Sequence, residues 1–223
     1  MIYFIDTNIG IGYSIFPDKH HSKSKSFVND NLKSLYWSTG VVKELNDKMH
    51  DITTNIQNFL LSIVFNVRNR KSDFLNKDEF ASFVLKVTKN IDLDIDKKNS
   101  LIECFWEKVL GGFSINIAQF PNLLNNFSIY VFNLFDSNRK YLIHEVNYYN
   151  CGLNNYKKYN SLSTTLKNIG VHDPDYKFVL DAHDLAKNNS NDVIFTTCDT
   201  KMVNAIIDNN ILKQLNISNF KVL

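Results

Sequence analysis

Cysteine, glycine and proline are all scarce in this chain. The three cysteines, Cys104, Cys151 and Cys198, are odd in number, far apart and without any CxxC spacing, which argues against a disulfide framework and a zinc site. A reducing cytoplasm is the simplest setting. Seven glycines and three prolines in 223 residues fall well below the roughly 12% that average usage supplies, so the chain lacks the punctuation of a many-stranded fold. A helix-rich or α/β chain is favoured over an all-β one. Long apolar runs are missing too: the longest, Phe59 to Phe65, is broken by Ser62 and is far shorter than the roughly 20 residues of a membrane span. A strand-like run begins directly after Met1, so no cleavable leader is expected. A soluble, cytoplasmic protein with no membrane partner is expected. Charge of one sign is also absent: 25 Lys+Arg against 23 Asp+Glu leave a formal +2, which selects no partner by itself.

What is present is the composition of an ordinary globular protein, 44% hydrophobic and 22% charged, long enough for a single elaborated domain with a full core. The opening I-Y-F-I-D-T-N is a short apolar run stopped by an acid, as a buried parallel strand ends at its carboxyl edge. Asp6 is thereby placed at a strand tip. A basic loop with Lys19, His20, His21, Lys23 and Lys25 follows, then a polar helix-like stretch from Ser26 to Lys33 and a second strand at Leu35-Tyr36-Trp37. Ser38 or Thr39 is a fitting N-cap for a helix carrying Val41, Val42, Glu44 and Leu45. From about 53 to 166 the pattern is mostly helical, and reads as an insertion or cap with breaks at Gly111-Gly112 and Pro121.

Beyond it, Asp173 as N-cap with Pro174 at the first helical position opens a helix to about Lys187. The strand Val193 to Thr196, a helix from Lys201 to Ile207 and a closing strand from Phe220 to Leu223 complete the chain. Strands alternating with helices at both ends predict a parallel sheet.

Ligands of such sheets bind outside the carboxyl ends of the strands, and four acids are expected there. Asp6 and Asp199 directly follow strand-like runs. Asp175 shares a helix face with Phe178, Val179, Ala182 and Ala186, whereas Asp181 and Asp184 fall on the other side and read as solvated charges. Glu44 lies in the early turns of the helix after the second strand. Clustered carboxylates repel unless a cation neutralises them, and all-oxygen ligation points to Mg2+ or Mn2+. One or two such ions activate water and stabilise both oxygens of an in-line displacement at a phosphodiester.

These residues resemble the PIN-domain nucleases. F-I-D-T-N at Phe4 to Asn8 is similar to that family's opening strand and first acid, and V-V-K-E-L at Val41 to Leu45 to its helical Glu. Asp175 to Ala182 resembles the third-acid helix, and T-C-D at Thr197 to Asp199 the T-x-D after the fourth strand. The resemblance covers roughly the first and last 50 residues. It implies a three-layer α/β/α sandwich around a central parallel sheet, and metal-dependent cleavage of single-stranded RNA. Asp6, Glu44, Asp175 and Asp199 are then the metal-binding catalytic acids, with Asn8 and Thr197 orienting them. It also implies a toxin of a toxin–antitoxin or defence system, with an antitoxin or other regulatory protein as partner, and a homodimer.

The basic stretch Lys19, His20, Lys23 and Lys25 is a candidate for phosphate contacts beside the Asp6 strand tip. Tyr148, Tyr149, Tyr156, Lys157, Lys158 and Tyr159 interleave rings and bases, a pattern that suits either RNA stacking or core packing beside exposed lysines. Three competing functions stand beside the metal nuclease: a catalytically silent PIN-like scaffold, a structure-selective DNA nuclease using the same acids, and a metal-independent activity based on the HEPN-type spacing of Arg139 and His144.

Overall fold

The computed structural model describes residues 1–70, 72–110, 116–150 and 153–223; Gly111, Gly112 and Cys151 lie outside the described residues. The chain divides into two compact units. The first comprises residues 1–13, 20–46 and 139–223, and the second 14–19 and 47–138. It follows that 139–166, which the sequence groups with the helical insertion, fall in the first unit.

The first unit is built on five parallel strands, β1 (Ile2–Ile5), β2 (Leu35–Ser38), β3 (Asn147–Tyr149), β4 (Val193–Thr197) and β5 (Asn219–Val222), in the order β3-β2-β1-β4-β5. This is the α/β class expected, and it is consistent with a three-layer arrangement. The three inner strands are short apolar runs because a parallel sheet buries both faces. On one face Phe4, Phe195 and Phe220 stand in register, with ring centroids 5.8 and 5.5 Å apart. On the other, Tyr3 meets Phe27 edge-on at 5.2 Å. β3 is a strand that the reading of 53–166 as helical does not anticipate.

Nine α-helices are present among the described residues: α1 (Thr7–Ser14), α2 (His21–Asn31), α3 (Thr39–Val67), α4 (Lys77–Val87), α5 (Ile95–Leu110), α6 (Phe120–Glu145), α7 (Asn160–Asn168), α8 (Asp175–Asn188) and α9 (Thr200–Asp208). The stretch expected to be a basic loop is therefore partly helical: Lys23 and Lys25 lie within α2, and His20 occupies its cap position. Pro121 opens α6 at its second residue, where its missing N–H has no intrahelical partner to lose.

α8 departs most from expectation. It begins at Asp175, with Pro174 in the cap position, and Asp173 is no cap but an ion pair with Lys177, Oδ1 to Nζ 2.7 Å. The helix is buried at Tyr176 and from Phe178 to Leu185. Asp181 (0% exposed) and Asp184 (6%) are thus not solvated, because α7 and the 3₁₀ turn ending at Tyr159 pack on the side the periodicity assigns to water. Tyr149, Lys158, Tyr159 and Asn188 all bond to the Asp184 carboxylate, and Tyr156 donates to Asp181 Oδ1 at 3.0 Å. Burial alone would raise the Asp184 carboxyl, but the bonds from Lys158, Tyr159 and Tyr149 outweigh it and hold it below the usual carboxylate range. Tyr149, Tyr156 and Tyr159 are polar ties to α8, whereas Tyr148 is exposed with its ring tilted against Trp37.

The second unit holds α4, α5 and the segments of α3 and α6 within residues 47–138, around a phenylalanine core. Phe80 lies 5.3 Å from Phe74 and 5.5 Å from Phe105, ring centre to ring centre, and the Arg70 guanidinium sits over Phe74 at 4.0 Å. Buried Lys98 donates from Nζ to the carbonyls of Thr88 and Ile91 (2.9 and 3.0 Å), satisfying groups beyond the end of α4.

Candidate active site at the carboxyl edge of the sheet

The strand order reverses between β1 and β4: the chain passes from β1 toward β2 on one side and from β4 toward β5 on the other. At such a switch point the connections leave in opposite directions and open a crevice above the strand tips. Asp6 directly follows β1 and Thr197 ends β4, so both stand at the carboxyl edge of the sheet beside this switch point.

Asp6 is 3% exposed and serves α1 as its N-cap, Oδ1 accepting the Ile9 N–H at 3.2 Å. Its Oδ2 accepts from the Thr197 hydroxyl at 2.5 Å and from the Asn8 amide at 3.3 Å. Thr197 in turn accepts the backbone N–H of Asp199 at 2.9 Å. One buried hydroxyl therefore joins the two strand-tip acids, donating to the first and receiving from the backbone of the second. Asp199 repeats the capping pattern on α9, Oδ1 accepting from Met202 N–H at 3.0 Å.

Two further acids come to the same edge by way of helix starts. Thr7, beside Asp6, donates its hydroxyl to Glu44 Oε2 in the second turn of α3. Asp175 is half-buried and opens α8. Gly40 brings the beginnings of α3 and α8 together: a Cβ there would lie 3.3 Å from Phe178 Cε1 and 3.6 Å from Ser38 Oγ. Thr7 has no assigned role in the sequence pattern, although its place directly after the first acid is a signal for it.

Among the described residues no three His, Cys, Asp or Glu side chains are grouped so as to hold one ion. Asp6, Glu44 and Asp199 each turn an oxygen toward a hydrogen-bond donor. The candidate donors are all oxygen and include the nearly buried Asp6 carboxylate, a chemistry that suits a hard divalent cation.

The expected basic contacts are dispersed. Lys23 and Lys25 are exposed on α2 and His20 is half-buried at its start, all in the first unit, whereas Lys19 belongs to the second unit. Arg139 donates to Asn46 Oδ1 at 2.6 Å, and His144 Nδ1 bonds Glu145 at 2.8 Å on an exposed surface. Five residues apart on α6, Arg139 and His144 point about 140° from each other.

Comparison of the chain with protein-family models, with curated proteins and with solved structures found no match.

Proposed function

We propose that this chain is a divalent-metal-dependent phosphodiesterase, an endoribonuclease of PIN type, with its active site at the β1–β4 switch point. The observation that carries this reading is the Thr197 hydroxyl bond to Asp6, which couples acids from two adjacent strand tips at the place where α/β sheets bind their ligands. Asp6 and Asp199 would hold Mg2+ or Mn2+, with Glu44 and Asp175 completing the ring of acids. A bound ion of this kind lowers the pKa of water and stabilises the oxygens of an in-line displacement. The chain's own residues position the acids: Thr197 and Asn8 fix the Asp6 carboxylate, and Thr7 fixes Glu44. The reading extends by resemblance to a toxin or defence nuclease with a restraining partner protein and a homodimer.

A second reading, a silent scaffold, draws on the same atoms, because both strand-tip acids already serve as helix caps. The deciding experiment is cleavage of an end-labelled single-stranded RNA with Mn2+, with chelator, and with Asp6→Asn and Asp199→Asn beside the wild type. Cleavage abolished by chelator and by both variants is expected. Cleavage that persists in chelator defeats the metal mechanism, and no cleavage of RNA or of branched DNA under any condition leaves the scaffold.

A further inference from the structure

A groove of about 590 Å³ runs between α2 and the edge strand β5, within the first unit. Its walls carry Ser22, Lys23, Phe27, Asn31 and Lys221, and its one acidic side chain, Asp30, accepts the Ser26 hydroxyl at 3.3 Å. Neither Lys23 nor Lys221 pairs with an acid among the described residues. Lys221 instead rests its ammonium over the rings of Phe27 and Tyr3, 4.6 and 5.7 Å from their centres. Ring faces hold a cation in place without neutralising it, so this charge remains available to an anion. In register Lys221 is opposite Thr196, and the Leu223 N–H donates to the carbonyl of Thr197 at 3.1 Å. The upper end of the groove is thus one strand spacing, about 4.8 Å, from the residue that anchors Asp6.

We propose that this groove carries the phosphate backbone of single-stranded RNA on one side of the bond cut at the strand-tip acids; the assignment of the cut rests on the function proposed above. Two uncommitted cations and the Ser22 hydroxyl suit phosphate oxygens. Phe27 is buried, with its ring flanked by Tyr3 and Lys221, so no aromatic face is left for a base to stack on. The groove therefore grips backbone and reads no sequence.

The test is fluorescence anisotropy with a labelled single-stranded RNA of roughly 15 nucleotides, in chelator so that nothing is cut, across a salt series. For Lys23→Ala/Lys221→Ala, binding should weaken about tenfold, and the slope of log Kd against log salt should fall by about 1.4, roughly 0.7 for each phosphate left without its lysine. Lys221→Arg should restore its share, and Lys89→Ala in the second unit should change neither quantity. Groove variants that bind with wild-type affinity and slope overturn the proposal, as does an equal effect of Lys89→Ala or a wild type that does not bind. The readout needs no catalysis. Lysine-dependent binding by a protein that never cleaves keeps the groove and removes the nuclease, whereas Asp6-dependent cleavage with lysine-independent binding does the reverse.

Discussion

Asp6 and Asp199 each hold a helix by its first turn, so a crude substitution at either confounds folding with chemistry. Asparagine caps a helix about as well as aspartate but carries no charge. Asp6→Asn and Asp199→Asn should therefore unfold within about 0.5 kcal/mol of the wild type while abolishing the proposed cleavage. Asp6→Ala, which also removes the cap, should cost about 1–2 kcal/mol in urea titrations. An asparagine variant as unstable as the alanine one would show that the charge is structural. Thr197 is the more exposed to failure in energetic terms, because its one hydroxyl both donates to Asp6 and accepts from Asp199. Thr197→Val leaves a buried carboxylate oxygen and a backbone N–H each short of a partner, at about 1–3 kcal/mol. A shift in urea midpoint below a few tenths of a kcal/mol would mean that neither bond matters.

Among the elements, α1 and α2 approach so closely at Gly12 that a Cβ there would lie 2.4 Å from Ser24 Oγ and 3.0 Å from Ser24 Cβ. Gly12→Ala should destabilise the fold by about 1–3 kcal/mol. Ser24→Ala should be nearly neutral alone, since its buried hydroxyl has no hydrogen-bond partner among the described residues, and should return part of the loss in the double variant; strict additivity would defeat the contact.

α8 gives a pH dependence. Burial, and then Lys187, holds the His183 imidazole below its ordinary range, and its Nδ1 accepts the Asn216 N–H at 2.9 Å as only the neutral ring can. The unfolded state then binds more protons below about pH 6.5, so stability should begin to fall there as pH drops. The depressed Asp184 carboxyl adds a second loss below about pH 4. His183→Gln should flatten the upper phase and leave the lower one; an unchanged profile would exclude His183 as its source.

The same helix shows what sequence pattern can and cannot give. The strands β1, β2 and β4 are legible because apolar runs end abruptly at polar tips. α8 is legible as a helix, but the burial of its outer face is not, because periodicity distinguishes two sides and cannot tell that a polar segment covers the second. β3, three residues of Asn and Tyr at the sheet edge, buries too little to leave an apolar run at all. At the site, the positions of Asp6, Asp199 and Thr197 follow from strand ends, which sequence marks well. Which donors lie near each carboxylate, such as Thr7 beside Glu44, is not marked in the sequence.

At the scale of the molecule, each compact unit contains one tryptophan, Trp37 in the first and Trp106 in the second, both buried. The helices α3 and α6 each supply residues to both units. Trp37→Phe and Trp106→Phe, followed by fluorescence and circular dichroism together, should each unfold with coincident midpoints. Two separated midpoints would show that the units melt independently.

The bond between Thr197 and Asp6 joins positions 191 apart in the chain, and β1 finds its neighbour β4 across the same interval. A ribosome adding about 5–20 residues per second takes roughly ten seconds or more to bridge it. During that time Asp6 has been made but Thr197 has not, and the switch-point crevice has only one of its walls. Nascent chains therefore pass the whole of that interval without the paired strand tips, and a message broken upstream of the codon for Val193 yields a polypeptide that never acquires them.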